Sequence, residues 1–289
     1  MSHAGIGLKT SCLTRPAPGD RRRHRNSWEI CLEMPIRQKM MAMPWEVMVE
    51  KDAAAMARRS ADLFLDMARE STKERGCFAV AISGGNTPRP LHRLLAEKSD
   101  DLEEVWGKTH LFWVDERCVP AEDPASNYGM ARQDFIWRIP IPTSQVHPVN
   151  GILPPEQGAR DYEAILKSFF QVKGCAFPRF DLVVLGVGSD GHTASLFPHH
   201  HALGERERWV VAVKGGYPDM WRVTLTLPVL NASRQVLFLV SGEGKRDIVE
   251  KIFESGGEAL PVRFIQPGAG STTWIMDEDA AMGVCTQTM

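Results

Sequence analysis

From Trp45 onward, short apolar runs rich in β-branched and aromatic residues alternate with helical stretches. This alternation is typical of βαβ units, in which a crossover helix joins two parallel strands of one sheet. The predicted strands are Trp45–Val49, Phe78–Ile82, His110–Val114, Leu182–Val187, Trp209–Val213, Gln235–Val240 and Thr272–Met276. The predicted helices are Ala53–Lys73, Pro88–Glu97, Tyr128–Trp137, Pro155–Phe170 and Lys245–Phe253. The pattern therefore predicts a single α/β domain over residues 44–289, with a doubly wound, mostly parallel, Rossmann-like sheet and helices on both faces.

In residues 1–43 the apolar residues recur at neither the helical nor the strand spacing. This segment carries a net charge of +5, whereas the remainder of the chain carries −7. We interpret them as a disordered basic tail or as an over-extended start upstream of Met43. The acidic body argues against nucleic-acid binding, because phosphate backbones select basic surfaces. No apolar run approaches the ~18 residues of a membrane span, and no secretory signal is recognisable. We therefore expect a cytoplasmic protein with no nucleic-acid or membrane partner, as a monomer or small homo-oligomer.

In doubly wound sheets, ligands bind beyond the carboxyl ends of the strands, so the loops there are the candidates for chemistry. The first such loop consists of Ser83, Gly84, Gly85, Asn86 and Thr87. Its glycines let the backbone approach an anion, its hydroxyls can donate, and the helix that follows near Pro88 presents free N–H groups. The loop is interpreted as a phosphate cradle. The alternative is a tight turn with Thr87 as an ordinary N-cap.

The second loop, Asp115-Glu116-Arg117, follows the strand His110–Val114. Here Asp115 could position a hydroxyl or a water, and Arg117 could bind a carboxylate or phosphate through its guanidinium fork. The alternative is a solvated surface loop, since strand ends commonly face water.

The third loop, residues 186–195, contains a formal G-x-G-x-x-G. We reject a dinucleotide site, because Pro198 interrupts the crossover helix that such a site needs. The loop instead presents Asp190 and His192 at the sheet edge. Because imidazole titrates near neutral pH, His192 is the candidate general base, and the alternative is a structural histidine.

Two cations complete the candidate set. Arg222 opens Arg222-Val223-Thr224-Leu225-Thr226, and Lys245 opens a predicted helix after a strand. For Lys245, the alternative is an exposed surface lysine. The run His199-His200-His201 is not expected to bind zinc, because consecutive histidines cannot converge on one tetrahedral ion. We predict neither a metal nor a cofactor.

Four motifs taken together resemble the 6-phosphogluconolactonase family. They are Ser83-Gly84-Gly85-Asn86-Thr87-Pro88, Phe112–Arg117 running on to Ser126-Asn127-Tyr128-Gly129, Gly191–Pro198, and Arg222–Thr226. Their order and approximate spacing match over roughly residue 44 to the end. The wider group includes glucosamine-6-phosphate deaminases, which are similar in the glycine-rich loop and in the Asp-Gly-His element.

The resemblance implies hydrolysis of 6-phospho-D-glucono-1,5-lactone to 6-phosphogluconate, in the oxidative pentose phosphate pathway, without a cofactor. The phosphate of this lactone would bind the Ser83–Thr87 loop with Arg222 and Lys245. His192, oriented by Asp190 or a backbone carbonyl, would deprotonate water, and Arg117 or loop N–H groups would stabilise the oxyanion. The alternatives are an amino-sugar-phosphate deaminase or isomerase and a non-catalytic sugar-phosphate sensor. Between residues 193 and 204 no acidic residue is present to serve the deaminase chemistry.

Overall fold

A parallel sheet of seven strands lies at the centre of the protein in this computed structural model, which describes residues 45–99, 102–172, 174, 176–254 and 259–285. Its strands are β1 (Glu46–Glu50), β2 (Phe78–Ile82), β3 (Thr109–Trp113), β5 (Val146–His147), β6 (Leu182–Leu185), β9 (Gln235–Val240) and β10 (Ser271–Asp277). They lie in the order β1-β10-β9-β6-β2-β3-β5, and each of these pairings is parallel. The predicted α/β fold with a mostly parallel sheet is confirmed.

Helices connect these strands and cover the sheet. They are α1 (Ala53–Arg75), α2 (Arg89–Glu97), α3 (Glu103–Trp106), α4 (Asn127–Asp134), α5 (Pro155–Phe170), α6 (Leu227–Ala232), α7 (Arg246–Phe253) and α8 (Glu278–Cys285). Local chemistry sets the ends of α1: the Asp52 carboxylate accepts from Ala55 N at 2.7 Å, and Gly76 ends the helix in the left-handed region. None of the described helices is long and apolar enough to cross a membrane.

Every residue of the central strands β2 and β6 is buried, as expected for parallel strands covered on both faces. For this reason they appear in the sequence as continuous apolar runs rather than as alternating ones. The predicted bounds of β2, β9 and α5 match the structure, and the other predicted strands and helices differ by a few residues at their ends. Residues 1–43, interpreted from the sequence as a tail, lie outside the described residues.

A second sheet of three antiparallel strands was not predicted. It contains β4 (Asp115–Arg117), β7 (Val210–Gly215) and β8 (Met220–Leu225), in the order β4-β8-β7. The expectation of a single sheet is therefore wrong in this detail, and the strand predicted at Trp209–Val213 belongs to the smaller sheet. A short turn joins β7 to β8, and a turn of this length forces antiparallel pairing.

The direction of strand addition reverses between β6 and β2. The chain proceeds from β2 to β3 and β5 on one side, and from β6 to β9 and β10 on the other. At such a reversal, the loops that leave the two central strands separate and open a crevice at the carboxyl edge of the sheet. The glycine-rich loops after β2 and β6 flank this crevice.

Candidate active site

A cavity of about 890 Å³ occupies the crevice between β2 and β6. Every residue singled out from the sequence as a site residue lines it: Ser83, Gly84, Gly85, Asn86, Thr87, Asp115, Arg117, Asp190, His192, Arg222 and Lys245. The loop Ser83–Thr87 follows β2, and the loop that carries Asp190 and His192 follows β6. Asp115 and Arg117 lie on β4, and Arg222 lies on β8. The smaller sheet thus completes one wall of a cavity that the parallel sheet opens.

His192 and Asp190 form a hydrogen-bonded pair in this cavity. The Asp190 Oδ1 atom lies 2.5 Å from His192 Nδ1 and also accepts from the His192 backbone N–H at 3.1 Å. Burial on its own would raise the pKa of Asp190, but the hydrogen bonds and the charge of His192 outweigh it, and the net shift is downward. A carboxylate on Nδ1 leaves Nε2 as the nitrogen that can accept a proton. Of the two predicted orienting partners of His192, the structure favours Asp190.

The glycine-rich loop after β2 has the features of an anion site. Gly85 has a φ of +88°, and Ser83 is buried with its Oγ unpartnered among the described residues. The helix α2 begins at Arg89, with Pro88 at the N-cap position and no side-chain capping bond. The alternative interpretation of Thr87 as an ordinary N-cap is therefore wrong. The predicted set of free N–H groups at the start of α2 is not present, because Pro88 and Pro90 carry no N–H and Arg89 N donates to Asn86 O at 3.3 Å. The features that suit a bound anion are therefore the unpartnered Ser83 hydroxyl and the glycine backbone of the loop.

Three cationic side chains face the cavity. Arg222 is only 6% exposed and lies opposite Arg117 in the β4–β8 pairing. Burial lowers the pKa of Arg222, and the like charge of Arg117 lowers it further. Lys245 is half-buried, and its Nζ donates to Val187 O at 2.8 Å, so the alternative of a freely exposed lysine is wrong. Cations that are desolvated in this way are stabilised by an anionic ligand.

Asp115 is 6% exposed, so the alternative of a solvated loop is also wrong. Its Oδ2 accepts from Ser195 Oγ at 2.5 Å, and its Oδ1 accepts from Asn127 Nδ2 at 3.2 Å. Both carboxylate oxygens are therefore engaged by protein donors. Sequence reasoning did not select Asn127 as a site residue, although it stands in one of the quoted motifs; its proximity to Asp115 arises only when α4 packs beside β4.

Glu116, the middle residue of the charged triplet, is 1% exposed and points away from the cavity into the start of α4. It accepts hydrogen bonds from the backbone N–H groups of Arg117, Asn127 and Tyr128 and from the hydroxyl of Ser126. Burial raises the pKa of Glu116 to about 7, because its effect exceeds that of the backbone hydrogen bonds, which lower the pKa. The side chain thus fixes β4 to α4.

We expect Glu116→Gln to lower the free energy of unfolding by about 1–3 kcal/mol, because the amide NH₂ would face backbone N–H donors. Urea unfolding followed by circular dichroism measures the change. Glu70→Gln, on the exposed surface of α1, is the matched control and should leave stability unchanged. Equal stability of both variants would contradict the role given to Glu116.

The histidine run His199-His200-His201 does not line this cavity. Within the described ranges, no group of three or more His, Cys, Asp or Glu side chains is placed to hold a metal ion. Phe197 and Pro198 also line the cavity; they stand in one of the quoted motifs but were not selected as site residues. The turn Gly215-Gly216-Tyr217 lines it as well.

Comparison with known proteins identifies the family. The sequence profile of the glucosamine-6-phosphate isomerases/6-phosphogluconolactonase family matches residues 51–274. A 6-phosphogluconolactonase from Synechocystis is 44% identical over 72% of this chain and 85% of its own length. One from Rattus norvegicus is 43% identical, over 72% of this chain and 80% of its own. The structure of 6-phosphogluconolactonase from Trypanosoma cruzi superposes with a TM-score of 0.74 at 31% identity, covering 82% of this chain and 96% of that one.

The chain therefore belongs to the glucosamine-6-phosphate isomerase/6-phosphogluconolactonase family. The predicted resemblance to the 6-phosphogluconolactonases within that family is confirmed.

Proposed function

We propose that this protein hydrolyses 6-phospho-D-glucono-1,5-lactone to 6-phosphogluconate in the oxidative pentose phosphate pathway. The observation that carries the proposal is the shared cavity, which joins the His192–Asp190 pair to the glycine-rich loop and three cations. A phosphorylated lactone needs an anion site at one end and an activated water at the other. This cavity offers both, and it does so in a family that includes lactonases.

The phosphate of the lactone binds the loop of Ser83 to Thr87, with Arg222 and Lys245 supplying positive charge. Charge-assisted hydrogen bonds to these groups fix the position of the sugar. The lactone carbonyl carbon C1 is then directed toward His192. Fixing a reactant in this way contributes up to ~7–11 kcal/mol to lowering the barrier, because the entropy of alignment is lost on binding.

The Nε2 atom of His192 takes a proton from water, and the resulting hydroxide forms a bond to C1. The tetrahedral intermediate collapses by breaking the bond between C1 and the ring oxygen, and the imidazolium returns its proton to that oxygen. Asp190 keeps Nδ1 as the donor nitrogen and stabilises the imidazolium while it exists. General base catalysis of this kind contributes ~10²–10⁴-fold.

Arg117 is the proposed donor to the oxyanion that develops on the carbonyl oxygen. Its Nη1 is bound to Ala125 O at 2.6 Å, which fixes the guanidinium, and its buried Nε has no protein partner among the described residues. A prepositioned donor that needs no reorganisation is the arrangement that stabilises such an intermediate.

The rival chemistry, amino-sugar-phosphate deamination, needs a carboxylate that is free to move a proton between C1 and C2. Of the described residues that line the cavity, only Asp115 and Asp190 are acidic. Asp115 accepts from Ser195 and Asn127, and Asp190 is bound to His192. Because neither carboxylate is free, the site favours opening of the lactone.

A direct assay of the purified full chain tests this function. We expect 6-phosphogluconate formation, coupled to a dehydrogenase, to exceed the spontaneous opening of the lactone measured in a blank. Ammonia release from glucosamine 6-phosphate should remain at background. Deamination that is faster than lactone hydrolysis would establish the rival activity, and binding of phosphosugar without turnover would establish a sensor. The predicted cytoplasmic location and the monomer or small homo-oligomer remain proposals.

Substitution of Lys245 by alanine should raise KM for the phosphorylated lactone by about 10- to 100-fold, because one charge-assisted contact to the phosphate is lost. KM for 1,5-gluconolactone, which carries no phosphate, should not change. Steady-state kinetics on both substrates measures the difference. The control is Lys251→Ala on the exposed face of α7. An equal rise in KM for both lactones would remove Lys245 from the phosphate site.

A further inference from the structure

The side chain of Phe197 lies between the two ends of the cavity and contacts both. Its ring centroid is 4.9 Å from that of His192, and the guanidinium carbon of Arg222 lies 5.6 Å from the same centroid. Phe197 is 8% exposed and lines the cavity. No step of the chemistry described above uses this residue.

We propose that Phe197 is a positioning residue that holds the imidazole of His192 and the guanidinium of Arg222 in place at the same time. The inference rests on the proposed function, which assigns the general base to His192 and a phosphate contact to Arg222. It adds a residue that acts through these two groups.

Arg222 needs support that does not neutralise its charge. It is buried next to Arg117. The nearby charges of Asp115 and Glu116 favour its charged form, but neither carboxylate forms an ion pair with it in the described part of the chain. Its Nε donates to Gly215 O at 3.1 Å. The face of an aromatic ring attracts a desolvated cation through its quadrupole, without an opposing formal charge. The guanidinium is thus stabilised while its positive charge remains available for a phosphate.

The turn between β7 and β8 packs directly on this pair. A Cβ atom at Gly215 would lie 2.9 Å from Phe197 Cδ2, and one at Gly216 would lie 2.6 Å from Arg222 Nη2. Gly216 also has a φ of +86°, which favours glycine. The backbone of the turn therefore approaches the ring and the guanidinium as closely as glycine allows, and it restricts the movement of both.

The His192 ring also gains from this contact. Its side chain is 30% exposed, and that of its partner Asp190 is 50% exposed, so their hydrogen bond faces solvent on one side. This hydrogen bond and the backbone of Gly188 restrain the Nδ1–Cε1 edge of the imidazole and still leave the ring able to tilt. Packing against Phe197, at an angle of 52° between the ring planes, limits that tilt and keeps Nε2 directed at the site of attack.

The test compares Phe197→Leu, which removes the ring and keeps apolar bulk, with Phe197→Tyr, which keeps the ring. Phe180→Leu is the matched control, because Phe180 is fully buried against Phe112 and Phe170 and does not line the cavity. We measure kcat and KM for the phosphorylated lactone and for 1,5-gluconolactone, and the affinity for inorganic phosphate by calorimetry. Phe197→Met replaces the leucine variant if that variant does not fold.

We expect Phe197→Leu to weaken phosphate binding by about 5- to 30-fold, which lies between the values for an exposed and a desolvated cation–π contact. It should lower kcat for both lactones by roughly tenfold through misplacement of His192. It should raise KM only for the phosphorylated substrate. Phe197→Tyr should keep the wild-type constants, and Phe180→Leu should lower the melting temperature without changing the kinetics.

Unchanged phosphate affinity in Phe197→Leu would overturn the contact with Arg222, and unchanged kcat would overturn the contact with His192. A loss in Phe197→Tyr as large as in Phe197→Leu would show that the ring is not the feature that matters, which also overturns the proposal. If the wild type does not hydrolyse the lactone, the proposed function fails. The phosphate measurements then still decide whether Phe197 supports Arg222.

Discussion

Replacement of His192 by asparagine should abolish nearly all lactone hydrolysis above the blank, with a loss in kcat of ~10²–10⁴-fold. Asparagine retains a polar group next to Asp190 but cannot accept the proton of the attacking water at neutral pH. The phosphate contacts are made by other residues, so affinity for 6-phosphogluconate should remain close to that of the wild type. Coupled kinetics and calorimetry measure the two effects separately.

The control for this variant is His201→Asn, an exposed histidine outside the cavity. It should behave as the wild type in both measurements. Turnover by His192→Asn within a few-fold of the wild type would remove His192 from the mechanism. Loss of binding together with turnover would instead indicate that the substitution disturbs the whole loop.

Replacement of Gly188 by alanine should have the second largest effect, although the residue itself has no functional group. A Cβ atom at this position would lie 2.1 Å from His192 Nδ1 and 2.7 Å from Asp190 Oδ1. No side chain can tolerate such distances, so the imidazole and the Asp190 carboxylate must both leave their observed positions. A displacement of about 1 Å in a catalytic group can cost ~10² in rate, and we expect a loss of kcat of that order.

The matched control is Gly204→Ala, outside the cavity. A Cβ atom at Gly204 would meet no atom within 4 Å, and this variant should keep its activity. Both variants should unfold at similar temperatures, since the movement caused at Gly188 involves side chains that face the cavity. Full activity in Gly188→Ala would show that the observed position of the His192 ring is not the one that performs catalysis.

Much of the fold was predictable from the sequence, because parallel strands buried on both faces appear as continuous apolar runs. Phe78–Ile82 and Gln235–Val240 were identified on this basis with their bounds correct. The strand β8 was missed, since its apolar residues are interrupted by Arg222, which lines the cavity, and by Thr224, whose hydroxyl accepts from Ser195 N. The two-residue strand β5 carries too few residues for any periodic signal.

The candidate site was predictable to the extent that its residues stand directly after strands, where the topology of a doubly wound sheet collects them. The sequence indicated that Ser83, Asp190 and His192 belong to one edge of the sheet. It did not indicate that Asp115 and Arg222 would be buried, because a charged triplet after a strand is ordinarily solvated. Burial followed from the smaller sheet, which pairs β4 with β8 and covers both residues.

By itself, then, the amino-acid sequence determined most of the strands and helices, the residue types at the sheet edge and the family to which the chain belongs. Only the tertiary structure decided which atoms meet: Asp190 on His192 Nδ1, Asn127 on Asp115, and Phe197 between His192 and Arg222. The reason is physical. Periodicity and propensity act over a few neighbouring residues, whereas Phe197 meets Arg222 across 25 residues of chain and Ser195 meets Asp115 across 80. Only the packing of the two sheets brings such segments within a ring contact or a hydrogen bond of each other.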